Sequence, residues 1–269
     1  MKVGIIQFAP LLGDLNGTIE KLDSLIDQTG SADLVVLPEL VNSGYSFVSP
    51  QQAYDLAESV DNSIYLDFIA KKACDNNNFI VTGFNEKNGD KLYSTSVLIG
   101  PDGYIGQYRK IHLFLNEKDY FSPGDKGLPV FDIGICKIGM LVCFDWIFPE
   151  VWRILALKGA DIICHPSNLV LPYAQKVVPS HALVNRVFAL TVNRVGTEGK
   201  LTFTGRSILS NPKGETLFEA SAEKEEAAII EIDPLIARNK SMTPRNDLFK
   251  DRIPKEYEEL ICYNGNKSR

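Results

Sequence analysis

The 269-residue sequence has no excess of positive charge and no long apolar segment. Its 28 lysines and arginines are outnumbered by 34 aspartates and glutamates, which gives a net charge of −6. Because nucleic-acid-binding proteins usually carry a basic patch, this balance argues against nucleic acid as a partner. No segment approaches the roughly 18 apolar residues of a membrane-spanning helix, and the N-terminal MKVGIIQFAP lacks the features of a signal peptide. We therefore expect a soluble, cytoplasmic protein without a membrane partner.

The cysteines are odd in number and irregularly spaced, which argues against a disulfide framework and for reduced thiols. They are Cys74, Cys136, Cys143, Cys164 and Cys262. The Cys164–His165 pair has no second pair at zinc spacing, so we expect no metal site. The sequence also lacks the G-x-S-x-G, P-loop and Rossmann glycine patterns, which argues against a serine hydrolase and against nucleotide or dinucleotide cofactors.

Predicted strands and helices mix along the whole chain, and hairpins stand between the helical crossovers. Strands are predicted over LVVLPE (34–39), Tyr104–His112 and near 190–196, and helices over PEVWRILALKG (149–159) and PSHALVNRVFAL (179–190). We find no linker and no repeat, so residues 1–269 are predicted to form one domain. The hairpins disfavour a pure βα barrel and favour a layered α/β sandwich with mixed sheets.

The segment GMLVCFDWIFPE, residues 139–150, predicts a strand, a sharp turn and a helix, with Cys143 at the turn. A cysteine there projects above the strand ends and faces the positive end of the helix, where the dipole favours a thiolate. The backbone N–H of Phe144 would face an oxyanion that develops on an attacked carbon. The alternative is a structural cysteine, since free cysteines are among the most buried residues.

Two further predicted strand ends carry charged residues. Glu39 ends an apolar run, where packing does not explain a carboxylate, and Lys110 lies near the end of another strand. Strand ends of a layered α/β fold meet in one crevice, where a glutamate can accept a thiol proton and a lysine can stabilise negative charge. Taken singly, Glu39 is also explained by a salt bridge and Lys110 by solvent exposure, so only their combination with Cys143 favours catalysis.

Four segments resemble motifs of the carbon–nitrogen hydrolase family, the nitrilase superfamily. They are LPELVNSGY, YRKIHLF, NEKDYFSPG and GMLVCFDWIFPE, and the resemblance extends from GIIQFAP to RNDLFKDRIP. It implies Glu39 as general base, Lys110 as stabiliser of the oxyanion and Cys143 as nucleophile. It also implies that Glu117 folds into the crevice, whereas a charged loop residue is ordinarily a solvated surface group.

The resemblance further implies a four-layer α-β-β-α sandwich with mixed sheets that forms a homodimer or a higher homo-oligomer. The elements after Cys143 would pack against the partner, and so would the polar tail, residues 245–269. No cofactor is implied.

Residues beside the three strand ends are candidates for substrate contacts. Tyr45 and Trp146 are placed to wall a small pocket, although both are equally explained as core aromatics. His165 and Asn168 follow a predicted strand, and the resemblance favours Asn168 as the contact. The alternative for Asn168 is a turn-capping side chain. With Phe144, these residues complete the predicted pocket.

The resemblance implies hydrolysis of a small carboxamide, or of a nitrile, to carboxylate and ammonia through a thioester. Carbamoyl-amine hydrolysis and ω-amidase activity are the alternatives within the family. Two alternatives come from other classes. In an N-acyltransferase an amine replaces water at the thioester, and a non-catalytic binding module would not need all three of Glu39, Lys110 and Cys143.

Overall fold

The computed structural model describes residues 1–262, so residues 263–269 of the predicted tail lie outside the described residues. The strands are β1 (Lys2–Gln7), β2 (Leu34–Val36), β3 (Phe79–Asn88), β4 (Lys91–Gly100), β5 (Gly103–Arg109), β6 (Val130–Asp132), β7 (Lys137–Met140), β8 (Ile162–Pro166), β9 (Phe188–Val192), β10 (Thr197–Glu198), β11 (Leu201–Thr202), β12 (Ile208–Ser210), β13 (Thr216–Glu219), β14 (Glu226–Glu231), β15 (Ser241–Thr243) and β16 (Asn246–Asp247).

The α-helices are α1 (Leu15–Gln28), α2 (Pro50–Asp55), α3 (Ile64–Asn76), α4 (Glu117–Tyr120), α5 (Pro149–Leu157), α6 (Ala174–Asn185) and α7 (Glu259–Cys262). Short 3₁₀ helices cover Cys143–Ile147, Pro234–Arg238 and Pro254–Tyr257.

Most strands belong to two six-stranded sheets of similar design. The first sheet has the order β14-β1-β2-β3-β4-β5 and the second has the order β13-β12-β9-β8-β7-β6. In each sheet three neighbouring strands are parallel, β1-β2-β3 in the first and β7-β8-β9 in the second, and antiparallel strands flank them. The predicted mixed sheets are therefore present.

The two faces of the first sheet contact different layers. Along β1 the side chains alternate, so that Val3 and Ile5 pack in the cluster shared with the second sheet while Ile6 packs with helices α1 and α3. Helices α5 and α6 belong to the same cluster as the second sheet, through residues such as Trp152 and Val178. The layers therefore run α-β-β-α, as predicted.

Two predicted elements have different boundaries in the structure. The strand predicted over 34–39 ends at Val36, because the chain reaches Pro38, which has no N–H to donate to a sheet. The helix predicted over 179–190 has the wrong boundaries. It begins at Ala174, contains Pro179 in its interior and ends at Asn185, where the next residue, Arg186, has a φ of 49°.

The residues after that helix form the buried parallel strand β9 instead of continuing it. A short apolar run fits a buried strand and a buried helix equally well, which explains the error. The strand predicted near 190–196 corresponds to β9, which already ends at Val192.

Within residues 1–262 no helix combines the length and the apolar character needed to cross a lipid bilayer. The first part of the tail packs on its own chain. The Phe249 ring lies 5.0 Å from Lys240 Nζ and 5.6 Å from the guanidinium of Arg153 in α5.

Candidate active site

The three charged or nucleophilic strand-end residues come together where the two sheets face each other. Glu39 lies in the loop after β2, Lys110 directly follows β5, and Cys143 lies in the turn after β7. Their side chains are buried, with 0%, 1% and 3% of their surface exposed. Because burying a charge is costly unless it is paired, the contacts among these groups decide what the site can do.

Lys110 is paired with two carboxylates. Its Nζ donates to Glu39 Oε1 at 2.9 Å and to Glu117 Oε1 at 2.7 Å. Glu117 begins the short helix α4 and is 3% exposed, so it is not a solvated surface group. One lysine therefore holds the two carboxylates in a single buried cluster.

The remaining oxygens of the two carboxylates differ. Glu117 Oε1 also accepts from Tyr45 Oη at 2.7 Å, and its Oε2 accepts from the N–H of Phe114 at 2.9 Å. Glu39 Oε1 also accepts from Ser94 Oγ at 3.0 Å, but its Oε2 has no hydrogen-bond partner among the described residues. Glu117 is therefore saturated, whereas Glu39 keeps one oxygen available to accept a proton.

Burial sets the protonation states of the cluster. It raises the pKa of Glu39, the Lys110 charge opposes this rise, and the Glu117 charge adds to it. Burial lowers the pKa of Lys110, but the negative charges that face it, namely that of the Cys143 thiolate when it forms and those of Glu117 and Glu39, outweigh burial and hold the pKa well above its usual value. Lys110 is therefore a cation near pH 7.

Burial also raises the pKa of the Cys143 thiol well above its usual value, and the charge of Glu39 raises it further while that of Lys110 lowers it. The resting side chain is therefore a protonated thiol. A protonated resting thiol is consistent with the predicted role of Glu39 as the base that accepts the thiol proton. A base is needed to generate the nucleophile.

The turn that carries Cys143 is strained and firmly held. Cys143 adopts a φ of 43°, and this left-handed conformation costs a non-glycine residue on the order of 1–2 kcal/mol. Asp145 Oδ2 accepts from the N–H of Val142 at 3.0 Å and from Tyr108 Oη at 2.7 Å. A 3₁₀ helix follows Cys143, so helix α5 begins only at Pro149. The strain persists because its surroundings fix it, as is common at functional sites.

The loop that carries Glu39 is fixed against β3. The N–H of Gly83 donates to the carbonyl of Pro38 at 2.9 Å, and a Cβ at Gly83 would lie 2.3 Å from the Cα of Glu39. Only glycine therefore allows β3 to approach the loop this closely. On the other side, Asn168 Nδ2 donates to the carbonyl of Glu39 at 3.0 Å.

Three of the five predicted pocket residues line a small cavity beside the thiol, whereas Tyr45 and His165 do not. Phe144, Trp146 and Asn168 share with Cys143 a cavity of about 10 Å³. Asn168 bonds to Glu39 rather than to its own turn, and its Oδ1 has no hydrogen-bond partner among the described residues. Tyr45 lies instead at a second cavity.

The second cavity has a volume of about 530 Å³ and a largely apolar lining. Tyr45, Phe47, Tyr120 and Leu201 are among its lining residues. Phe114 lines both cavities and its ring packs 5.0 Å from that of Phe144. A single aromatic side chain therefore separates the thiol from a much larger space.

Sequence reasoning missed several residues of the site. Ser94 lies mid-strand in β4 and carries no sequence signal. Asp145 and His112 are joined by a contact of 2.7 Å between Asp145 Oδ1 and His112 Nδ1. The one signal available in the sequence was an aspartate two residues after the cysteine in an otherwise apolar segment, because carboxylates are rarely buried unless they are paired. Among residues 1–262 no three His, Cys, Asp or Glu side chains are grouped as metal ligands would be.

These contacts give the site the parts needed for nucleophilic attack. The thiol is protonated, one carboxylate has a free oxygen, and a buried ammonium is ready to stabilise negative charge. The backbone N–H groups after Cys143 are further donors at a turn where an oxyanion would form.

Comparison with known proteins identifies the family of the chain. The family model described as carbon-nitrogen hydrolase matches residues 2–239. The chain is 45% identical over 259 residues to a nitrilase of Pyrococcus abyssi, covering 96% of this chain and 99% of the relative. It is 33% identical to an (R)-stereoselective amidase of a Pseudomonas species, covering 94% of this chain and 91% of the relative.

A solved structure of a carbon-nitrogen hydrolase from Helicobacter pylori G27 has the same fold. It superposes with a TM-score of 0.87 at 29% identity and covers 97% of this chain and 98% of its own. The family model, the relatives and the fold thus agree over nearly the whole chain. The chain belongs to the carbon–nitrogen hydrolase family of the nitrilase superfamily and is an enzyme that hydrolyses carbon–nitrogen bonds.

Proposed function

We propose that this enzyme hydrolyses a small carboxamide to a carboxylate and ammonia, with Cys143 as nucleophile and a thioester as intermediate. The observation that carries the proposal is the unpartnered Oε2 of Glu39, in a buried cluster where Lys110 is a cation and the Cys143 thiol is protonated. Each group then has the protonation state that the first step requires.

In the first step Glu39 accepts the thiol proton as the sulfur of Cys143 attacks the amide carbon. The electron pair of the C=O bond moves to the oxygen, and the Nζ of Lys110 and the backbone N–H of Phe144 stabilise that oxyanion. The raised pKa of Glu39 makes it a stronger base than a solvated glutamate, which suits this transfer.

In the second step the oxyanion collapses and the C–N bond breaks. The leaving nitrogen takes the proton from Glu39 and departs as ammonia, which leaves the acyl group on Cys143 as a thioester. Glu39 then accepts a proton from water, and the water oxygen attacks the thioester carbon. The carboxylic acid leaves as the thiol recovers its proton, so one amide and one water give one acid and one ammonia.

Glu117 is proposed to orient Lys110 and the substrate without moving the thiol proton. Its support is that both Glu117 oxygens are already occupied by Lys110, Tyr45 and the N–H of Phe114. A saturated carboxylate is a poor proton acceptor but a good anchor. Tyr45 would assist by holding Glu117.

Phe144, Trp146 and Asn168 are proposed to contact the substrate. Asn168 has a free side-chain oxygen among the described residues, which suits a donor such as the amide nitrogen of a substrate. The small size of the cavity beside Cys143 favours substrates with a short acyl group.

A nitrile is the second candidate substrate class, and the name of the Pyrococcus abyssi relative favours it. The same thiol would add to the nitrile carbon to form a thioimidate. One water would then release ammonia and leave the thioester, and a second water would release the acid and restore the thiol. An N-acyltransferase would form the same thioester but pass it to an amine, and a non-catalytic binding module would form none.

A substrate panel tests these alternatives. The enzyme is incubated with small amides, ω-amides, carbamoyl amines and nitriles, ammonia is measured, and intact-protein mass spectrometry looks for an acyl adduct. We expect ammonia and an acyl adduct on Cys143 from at least one small amide, and neither from Cys143→Ala. Added amines that divert the product from acid to amide would favour the transferase. A wild-type protein without ammonia release or an adduct would contradict the proposal.

We propose that residues 1–269 act as one domain within a homodimer in the cytoplasm. Exposed apolar side chains on α5 and α6, such as Ile154, Leu157 and Val184, support an interface on that face. The five free cysteines suit a reducing compartment. Light scattering at low micromolar concentration should give at least twice the monomer mass, and a monomer would contradict the dimer. The tail, 245–269, is proposed to pack on the partner, and truncation after Pro244 should then weaken the dimer.

A further inference from the structure

His165 is a fully buried histidine in β8 that the proposed reaction does not use. Its Nε2 lies 2.7 Å from the carbonyl oxygen of Cys143, and its Nδ1 lies 2.9 Å from Thr191 Oγ1 in β9. Both ring nitrogens are therefore occupied. One of the two contacts reaches the backbone of the nucleophile itself.

The partners of the ring assign its tautomer. Burial lowers the pKa of His165 to about 4, so the ring is neutral near pH 7. A neutral imidazole has one N–H, and a carbonyl oxygen can only accept, so the hydrogen lies on Nε2 and is donated to Cys143. Nδ1 then accepts from the hydroxyl of Thr191.

This hydrogen bond acts on a peptide unit that the reaction needs. The carbonyl of Cys143 and the N–H of Phe144 belong to the same planar peptide, in which the two groups point in opposite directions. Anchoring the carbonyl on the β8 side therefore aims the N–H of Phe144 away from β8. Cys143 begins the 3₁₀ helix over Cys143–Ile147, but its φ of 43° is not a helical value, so the hydrogen bond from His165 adds to the helical turn in fixing the plane of this peptide.

We propose that His165 is a positioning residue that fixes the Cys143–Phe144 peptide plane and thereby orients the oxyanion-binding N–H of Phe144. The proposal rests on the function proposed above. Loss of the Nε2–H donor of His165 would weaken the stabilisation of the oxyanion, whereas the Cys143 thiol would remain in place and reactive.

His181 offers a matched control. It is also buried, its Nε2 lies 2.9 Å from the carbonyl oxygen of Trp146, and it packs on the same indole, Trp152. The ring of His181 stacks at 5.0 Å, whereas that of His165 meets Trp152 edge-on at 5.7 Å. The two histidines thus brace the two ends of one 3₁₀ turn, but only His165 holds the peptide that precedes Phe144.

The experiment compares His165→Leu, which removes the donor, with His165→Gln, which restores an N–H near the position of Nε2. His181→Leu is the control for the loss of a buried histidine. For each variant kcat and KM on the best substrate, the rate of Cys143 alkylation by iodoacetamide and the melting temperature are measured. Alkylation takes place at a tetrahedral carbon and forms no oxyanion, so it reports the thiol alone.

We expect His165→Leu to lower kcat about 100-fold, as for loss of one oxyanion donor, with KM and the alkylation rate changed less than about threefold. His165→Gln should recover a large part of kcat, and His181→Leu should lose less than about fivefold. If His165→Leu fails to fold, the comparison uses Thr191→Val, which frees the ring and should also lower kcat selectively.

Three results would overturn the inference. They are an unchanged kcat in His165→Leu, an equal loss in His181→Leu, or a loss of alkylation that parallels the loss of kcat. Failure of the proposed function is recognised separately, because the wild-type enzyme would then release no ammonia and form no acyl adduct.

Discussion

The first and second sheets contribute very different halves of the active site. The half from the first sheet is ionic, with Glu39, Lys110 and Glu117 joined by two buried ion pairs. The half from the second sheet is neutral, with a protonated Cys143 whose turn is held by His165 and by strain in the backbone. The groups that carry charge and are proposed to transfer the proton lie on the side of the first sheet. The second sheet positions the sulfur of Cys143, which is proposed to react. The predictions below test whether the two halves can be disabled separately.

The largest effect is expected from removing the central group of either half. Cys143→Ala removes the nucleophile and Glu39→Gln removes the base, and each should lower turnover about 10⁴-fold or more, measured as ammonia release. Cys164→Ala is the control, because Cys164 is an equally buried thiol outside the ionic cluster. An active Cys143→Ala with an inactive Cys164→Ala would show that the nucleophile is wrongly assigned.

Glu117→Gln should separate turnover from thiol reactivity. It removes one of the two charges that balance Lys110 but leaves Glu39 to deprotonate Cys143, so turnover should fall about 10²- to 10³-fold. Alkylation of Cys143 by iodoacetamide should continue, whereas Glu39→Gln should lose both alkylation and turnover. Wild-type turnover of Glu117→Gln across the substrate panel would mean that Glu117 has no part in the mechanism.

Phe114→Ala should widen the substrate range. Because this ring separates the cavity of about 10 Å³ at Cys143 from that of about 530 Å³, its removal should join them. We expect the ratio of kcat/KM for hexanamide to that for propionamide to rise about tenfold. Phe148→Ala is the control, since Phe148 packs on Phe144 but lines neither cavity. Equal ratios in both variants would mean that Phe114 does not limit the acyl group.

The smallest effect concerns pH. Burial raises the pKa of Glu39 above the ordinary 4.5, and the negative charge of Glu117 raises it further. Turnover requires ionised Glu39, so the acid limb of kcat/KM should lie above pH 4.5 in the wild type. Glu117→Gln removes a charge that disfavours ionisation of Glu39, so the limb of its residual activity should move to lower pH. A shift to higher pH would contradict the electrostatic coupling.

The ionic half could be predicted from the sequence better than the neutral half. Glu39 follows an apolar run, where a carboxylate is unusual, and Lys110 ends a strand of mixed polarity, so their combination with Cys143 is visible without a structure. The contacts of the neutral half join residues far apart in the chain, such as His165 with Thr191 and Asn168 with Glu39. No local pattern encodes those pairs, because each depends on how two strands or loops cross.

The error in the predicted helix over 179–190 has a physical cause. The helix over 179–190 was expected to begin at its proline, whereas tertiary packing tolerates Pro179 in the interior and turns the following apolar residues into β9. The local preference of proline for the start of a helix was overridden by tertiary contacts that are not visible in the sequence.

The close approach of Gly83 to the Glu39 loop has a consequence for mutational screens. Gly83 carries no functional group, yet a Cβ there would overlap the Cα of Glu39 and the carbonyl oxygen of Pro38, at 2.3 and 2.4 Å. By contrast, a Cβ at Gly89 or Gly103 would meet nothing within 4 Å. A saturation library scored by activity alone would therefore rank position 83 beside the proposed nucleophile, although Gly83 only provides space for the Glu39 loop. In enzyme engineering, the glycine behind the proposed base is as fixed a design constraint as that residue itself.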